Sequence, residues 1–361
     1  NFDLTYIINR SKKLKLDINK ISPMNYIKID KFGVKIYGLV VLDIKKLCLH
    51  NFVKKELFQN DLNHVAEYLI GKKKIEIEET PGELWKNNLD LLIKYNIEDV
   101  KLLVEIDNKI GVIDFYDTLR REIGCGWERI TSVSYLHDIE TYRKARELNV
   151  VIPQTELKDF KKVEGADVEV LKTGLFTYVL YLDIKSQFPY AIMLCNISPE
   201  TIDNFGEIML DLHLRFKNNK KGIIPQIVEQ EIKRRDEVKK QMFEELELNG
   251  KTEKYYSLNK IQYALKILPN SFYGIFNTEF YCLKDRRLTE AITTFSRKSI
   301  NWAKNIVEKN AYDVIGFDTD GLFINSNLQL KEETIQLGIK IQNLINESYK
   351  DFLKGLGVNS G

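Results

Sequence analysis

The sequence predicts a mixed α/β chain of the α+β kind, with long helices punctuating antiparallel strands. Three observations carry that expectation. Apolar residues recur at i, i+3, i+4 and i+7 along several long stretches, the spacing of amphipathic helices. Short β-prone runs, "YVLYLD" (178–183) and "VIGFDTDGLFI" (314–324), end on turn-forming residues as hairpin strands do. The 361 residues are 44% hydrophobic and 11% aromatic, enough to bury a sizeable core divided over two or three domains.

Along the chain, "FGVKIYGLVVLDIKKLC" (32–48) reads as strand, turn, strand and then helix. "NLDLLIKYNIEDVKLLVEIDNKI" (88–110) is an amphipathic helix by spacing, and "SYLHDIETYRKARELN" (134–149) is another, closed before Pro153. From residue 175 "LFTYVLYLDIKSQFPY" turns to strand and is expected to break at Pro189. "IPQIVEQEIKRRDEVKKQMFEELELNG" (224–250) is a long helix ending at Gly250, and a second starts near residue 253. After the 314–324 hairpin one further amphipathic stretch remains, "EETIQLGIKIQNLINESYKDFLKGLG" (332–357).

Composition excludes several classes. Cys48, Cys125, Cys195 and Cys282 lie far apart with no C-x-x-C pair, which argues against a disulfide framework or a cysteine zinc site and fits a reducing compartment. No apolar run reaches the ~18 residues of a membrane span, and no charged-then-apolar leader opens the chain. Cytoplasmic, nucleoid-associated residence is expected, with no membrane partner. The 54 basic and 52 acidic side chains nearly cancel, so charge is a local matter. "EIKRRDEVKKQM" (231–242) is densely basic, and such stretches are ordinarily solvated helix faces. The first residue is Asn, and the chain is expected to be a fragment.

Asp318 and Asp320 stand at the neck of the apolar 314–324 hairpin. Turn chemistry alone accounts for Asp and Gly there. A metal site needs a further carboxylate, and Asp183 ends an apolar strand where it can stand on a sheet rim, although a lone Asp there is usually a cap. "KILPNSFYG" (266–274) supplies Lys266, Asn270 and Tyr273, and the basic helix supplies Arg235 and Lys239 one turn apart. Carboxylates for a divalent metal plus cations for a polyphosphate are what phosphoryl transfer requires.

At these residues the chain resembles the family B DNA polymerases. Their motif D-x-x-S-L-Y-P-S is similar to Asp183-Ile184-Lys185-Ser186-Gln187-Phe188-Pro189-Tyr190, and K-x-x-x-N-S-x-Y-G fits Lys266 to Gly274 at every defined position. Y-G-D-T-D-S is matched by "GFDTDG" (316–321), which keeps the acids and loses both flanks; "NISPETI" (196–202) and "EAITTFSR" (290–297) also resemble family segments. More weakly, the front resembles the family's 3′–5′ proofreading exonuclease, with Asp3 in "NFDLTYIINR" and Tyr95 and Asp99 in "YNIEDV". "VEGADV" (163–168) resembles a DNA-contacting stretch through Gly165 and Ala166, with Val163 in place of tyrosine.

The resemblance implies template-dependent nucleotidyl transfer from a dNTP to a primer 3′-hydroxyl. Two Mg2+ ions, for which Mn2+ can substitute, would be held by Asp183, the Ile184 carbonyl and Asp320, with Asp318 in support. Arg235, Lys239 and Lys266 would grip the triphosphate; Ser186, Gln187 and Phe188 would line the nucleotide site, Phe188 under the sugar; Asn270 and Tyr273 would form the floor beneath the base pair. Primer–template DNA and dNTPs are the implied partners, and a sliding clamp or a separate chain supplying the thumb stays open. The implied layout is an RNase H-like exonuclease portion (1–130), a connecting helical segment (131–162), palm (163–205), helical fingers (206–280) and palm again (281–361), with the thumb and the first exonuclease motif outside the chain. The compact interval between Asp183 and Lys266 is closer to archaeal replicative or repair members than to protein-primed ones.

Some residues depart from the family pattern. Phe188 keeps the ring of the family tyrosine and drops its hydroxyl, Pro269 is expected to kink its helix, and Gly316 and Gly321 are expected to loosen the hairpin. "HDIET" (137–141) imitates the first exonuclease motif, but its helical spacing sends Asp138 and Glu140 to different faces, so a solvated helix face is expected there. Two other classes remain open: a catalytically silent polymerase-fold DNA-binding subunit, and a nuclease.

Overall fold

A computed structural model describes residues 2–30, 33–51, 57, 59–153 and 163–358, the side chains of Phe2, His50 and Asn51 excepted. They fall in two units, Asn1–Thr131 and Ser132–Gly361. Mixed helices and antiparallel strands make up both, as the sequence patterning anticipates.

The first unit is mainly helical: α1 (Phe2–Lys13), a hairpin of β1 (Ile27–Asp30) and β2 (Gly33–Ile36), then α2 (Ile44–Asn51), α3 (Leu62–Ile70), α4 (Pro81–Asn87), α5 (Leu89–Ile110) and α6 (Val112–Ile123). Side chains satisfy the free N–H groups at the helix starts. Asp61 caps α3, Thr80 and Glu83 form a reciprocal capping box on α4, and Asn88 caps α5. Gly111, at φ 69°, takes the left-handed conformation that separates α5 from α6. Leu102 and Ile106 of α5 and Phe115, Tyr116 and Leu119 of α6 are buried. The strand expected after the turn at Gly38 does not form: Leu39, Val40 and Val41 are about half exposed, and β2 pairs backward with β1 instead. An apolar run without a partner edge has nowhere to place its backbone hydrogen bonds.

The second unit holds α7 (Val133–Glu147), β3 (Val168–Val170), β4 (Val179–Asp183), α8 (Gln187–Leu194), β5 (Ile208–Asp211), β6 (Leu214–Phe216), α9 (Ile223–Asn249), α10 (Glu253–Ile275), α11 (Arg286–Lys309), β7 (Asp313–Asp318), β8 (Gly321–Asn325) and α12 (Lys331–Gly355). Four strands form an antiparallel sheet in the order β3-β7-β8-β4. One face is apolar and covered: Val314, Phe317, Leu322 and Ile324 pack with Ile300, Ala303 and Val307 of α11 and Ile341 and Ile345 of α12. The other face carries Val168, Val170 and Tyr181, all more than half exposed, the alternation of a one-sided sheet.

A second core gathers α8, α9, α10, the start of α11 and the β5–β6 hairpin around Phe216, Phe272, Phe276 and Tyr281. Gly250 ends α9, and α10 returns along it as an antiparallel partner. Helix α8 starts at Gln187, earlier than the expected break at Pro189, which sits in its first turn where a missing N–H costs nothing. Pro269 lies inside α10, which continues to Ile275. Among the described residues no helix is long and apolar enough to cross a membrane.

Candidate active site

The site is built on a tight turn. Asp318 ends β7, Gly321 starts β8, and Thr319 and Asp320 make the reversal. Thr319 has φ 56°, rare for a β-branched residue, held by its N–H on Asp167 O (2.9 Å) and by Asp320 N–H on Asp318 O (2.6 Å). In register, Asp183 at the end of β4 faces Gly321, and Ile184 N–H donates to Asp320 O at 2.8 Å. Asp183 and Asp320 therefore stand at the same end of two neighbouring strands.

The glycines beside this turn do not loosen it, contrary to expectation. A Cβ on Gly316 would lie 2.8 Å from Glu169 O, so only glycine lets β3 pair at that position. A Cβ on Gly321 would clash with the hydroxyl edge of the Tyr181 ring, 2.3–2.6 Å from its Cε2, Oη and Cζ, and that hydroxyl donates to Asp183 Oδ1 at 3.3 Å.

Burial first, then the charges of Asp183 and Asp318, push the Asp320 carboxyl above its ordinary value. Burial and the same acids raise the Tyr181 hydroxyl. Among the described residues no Lys or Arg forms an ion pair with Asp183, Asp318 or Asp320. Crowded carboxylates without a protein counter-charge fit a divalent cation. Only two of the three acids face the same space: Asp318 lines a separate groove with Val168, Gly316 and Phe323.

Opposite the acids stands the helical hairpin. Arg235 and Lys239 are one turn apart on α9, and Lys266 and Asn270 one turn apart on α10, with Asn270 Nδ2 donating to Lys266 O at 2.6 Å. These four side chains, Asp183, Asp320, Ser186 and Phe188 line one cleft of about 570 Å3. Burial lowers the Arg235 guanidinium from its ordinary value, and its Nε has no partner among the described residues. The three cations of this hairpin, facing two acids across one cleft, can hold a metal-bound polyphosphate.

The family model described as DNA polymerase family B matches residues 139–354. The chain belongs to DNA polymerase family B. It is 26% identical over 376 residues to DNA polymerase 1 of Pyrococcus abyssi (strain GE5 / Orsay), covering 98% of this chain and 47% of the relative. It is 28% identical over 351 residues to a DNA polymerase of Desulfurococcus sp. (strain Tok), covering 90% and 43%. With the DNA polymerase delta catalytic subunit of Plasmodium falciparum (isolate K1 / Thailand) it shares 28% over 406 residues, covering 98% and 36%. The chain thus spans about half the length, or less, of the curated relatives it matches.

Several motif residues of this family B chain make contacts beyond the cleft. Gln187 touches the cleft but turns inward: it is 2% exposed and accepts from Ser296 Oγ at 2.6 Å. Ser296 also approaches Thr319 O (3.2 Å), so Gln187 braces the acidic turn from behind. Tyr273 does not line the cleft; its ring packs against Phe188 at 5.0 Å between centroids. Gly165 O accepts from Arg297 Nη1 at 2.7 Å, and Ala166 follows it before β3. The "HDIET" segment is helical as expected but is not a solvated face. His137 is fully buried, and Asp138 Oδ1 accepts Cys282 N–H at 2.8 Å, because α7 packs on both α9 and α10.

Sequence reasoning missed Lys185, Tyr181, Ser296 and Lys74. The first lines the cleft. In the first unit Lys74 pairs with Asp99 (2.7 Å) and lies 4.8 Å from the Tyr95 ring centre, joining the two exonuclease candidates of α5. Those contacts raise the Lys74 ammonium above its ordinary value against the opposing effect of burial. Asp3 is exposed on α1, and no described hydrogen bond or ion pair joins it to Asp99. Lys185, Tyr181 and Ser296 lie inside quoted segments but at positions the motifs leave undefined, and Lys74 lies outside them all, so only spatial neighbours reveal their roles.

Proposed function

We propose that the second unit is the catalytic part of a DNA-directed DNA polymerase, which adds a deoxynucleotide from a dNTP to a primer 3′-hydroxyl under template direction. The observation that carries this reading is the convergence in one cleft of two strand-end acids with three cations from a helical hairpin. The four-stranded sheet with α11 and α12 acts as the palm, and α9 with α10 as the fingers. Mg2+ held by Asp183, the Ile184 carbonyl and Asp320 would supply Lewis-acid activation of the primer hydroxyl and charge neutralisation at the triphosphate.

The chain's own residues do the positioning. Arg235, Lys239 and Lys266 bind the triphosphate oxygens by charge-assisted hydrogen bonds, which are shorter and stronger than neutral ones. Phe188, braced by Tyr273, walls the space under the sugar and leaves no room for a 2′-hydroxyl. Asn270 supports the incoming base pair beside them. Tyr181 orients the Asp183 carboxylate, while Gln187 and Ser296 hold the Thr319–Asp320 turn. In the first unit we read Tyr95 and Asp99, with Lys74 between them, and Asp3 as part of a 3′–5′ proofreading set. Primer extension by the full-length protein tests the polymerase reading: Asp183→Ala should abolish nucleotide addition while leaving the circular dichroism spectrum unchanged. Extension by that variant at near wild-type rate would overturn it.

A further inference from the structure

Away from the cleft, α7 and α9 bury a histidine and two carboxylates against each other. His137 is 0% exposed and Glu231 6%, and the Glu140 side chain is 14% exposed. One donor atom from each lies within 4.8 Å of the others. His137 Nδ1, Glu140 Oε2 and both Glu231 oxygens are buried with no hydrogen bond to any residue outside the cluster among the described residues, and the Glu140 and Glu231 carboxyls face each other within hydrogen-bonding reach. No lysine or arginine forms an ion pair with either glutamate there.

Hydrogen bonding on the far side of the ring bears on what faces the cluster. Ser271 Oγ lies 2.7 Å from Leu268 O and 2.8 Å from His137 Nε2, so when its one proton goes to Leu268 O it accepts from the ring. In that tautomer Nε2 carries the ring proton and Nδ1 presents a bare lone pair to Glu140 Oε2 at 3.4 Å. A lone pair aimed at two buried carboxylates is repulsive unless a cation stands between them. Donation of the outer ring N–H is also the usual second contact of a metal-bound histidine.

We propose that His137, Glu140 and Glu231 bind one divalent first-row transition cation, of which zinc is the representative, as a structural site independent of the polymerase cleft. Two carboxylates and a neutral imidazole cancel the charge of such an ion, so the buried cluster becomes neutral as a whole. Ligand atoms about 2.0–2.2 Å from a tetrahedral ion lie about 3.4 Å apart, the spacing His137 and Glu140 already have at i and i+3 on one helix face. Imidazole with carboxylates suits zinc, manganese and iron better than magnesium. The ion pins α7 to α9 one turn before Arg235, and through Ser271 it steadies α10 beside Asn270.

The test uses the purified chain stripped of metal, supplied with Zn2+ and passed through gel filtration. Wild type should retain one more equivalent of zinc than Glu140→Gln or Glu231→Gln, and its melting midpoint should rise by about 5–10 °C with zinc at a hundredfold excess over Kd. Any zinc on the polymerase acids is common to all three proteins and cancels. If the glutamine variants fail to fold, Glu231→Leu fills the same space with an apolar side chain and should fold without the extra zinc. Equal zinc in wild type and folded variants would overturn the site. So would a zinc-insensitive wild-type midpoint that rises only as pH falls, which would show the carboxylates sharing a proton instead.

Discussion

Asp320→Asn separates the charge of the acidic turn from its shape. Asparagine keeps the size of the side chain and removes one of three crowded negative charges. Because burial, Asp183 and Asp318 raise the Asp320 carboxyl, the folded chain holds that proton more tightly than the unfolded chain does. The associated stability is fully present below the ordinary carboxylate pKa and is lost as pH rises through the raised folded value. At neutral pH, ionised Asp320 therefore works against the metal-free fold. Facing Cα atoms in an antiparallel pair are about 4.5–5.5 Å apart. Asp183 faces the neighbour of Asp320. Carboxylates about 6 Å apart at an effective dielectric of about 20 repel by about 3 kcal/mol, which solvent contact and salt reduce to about 1 kcal/mol. In EDTA, Asp320→Asn should thus raise the melting midpoint by about 2–4 °C at neutral pH and leave it unchanged below about pH 3. In the full-length protein with Mg2+ and primer–template, nucleotide addition should fall by about 10³-fold, the loss of several kcal/mol of transition-state stabilisation. Scanning calorimetry across pH and single-nucleotide extension read the two effects. An unchanged or lower neutral-pH midpoint would refute the charge crowding, and extension within tenfold of wild type would refute the ligand role.

Three further outcomes are expected. Lys266→Ala or Arg235→Ala should raise the KM for dNTP by about tenfold or more, as loss of a charge-assisted hydrogen bond predicts; an unchanged KM in steady-state extension would remove that residue from the triphosphate site. Phe188→Ala should increase ribonucleotide incorporation far more than it slows deoxynucleotide use, and equal effects on both sugars would show that the ring faces elsewhere. Gly316→Ala, whose Cβ would meet the Glu169 carbonyl at 2.8 Å, should destabilise the second unit by about 1–3 kcal/mol in urea unfolding, and a neutral result would mean that β3 yields at no cost.

Motif order and periodicity in the sequence determined the family, the long helices, the two acids of the cleft and the three cations of its helical hairpin. They could do so because those features are local: a helix repeats every few residues, and each motif is contiguous. Only the tertiary structure decided what each side chain faces. Gln187 follows Ser186 in the same motif, yet it turns to Ser296 and braces the turn. Asp318 shares its motif with Asp320 but looks into another groove. Gly321 admits Tyr181, a residue of a different strand. His137, Glu140 and Glu231 carry no sequence signal as a group, because a helix return brings together positions that are distant along the chain. Helix and strand periods fix which residues share a face, but the packing of one element on another fixes what that face meets.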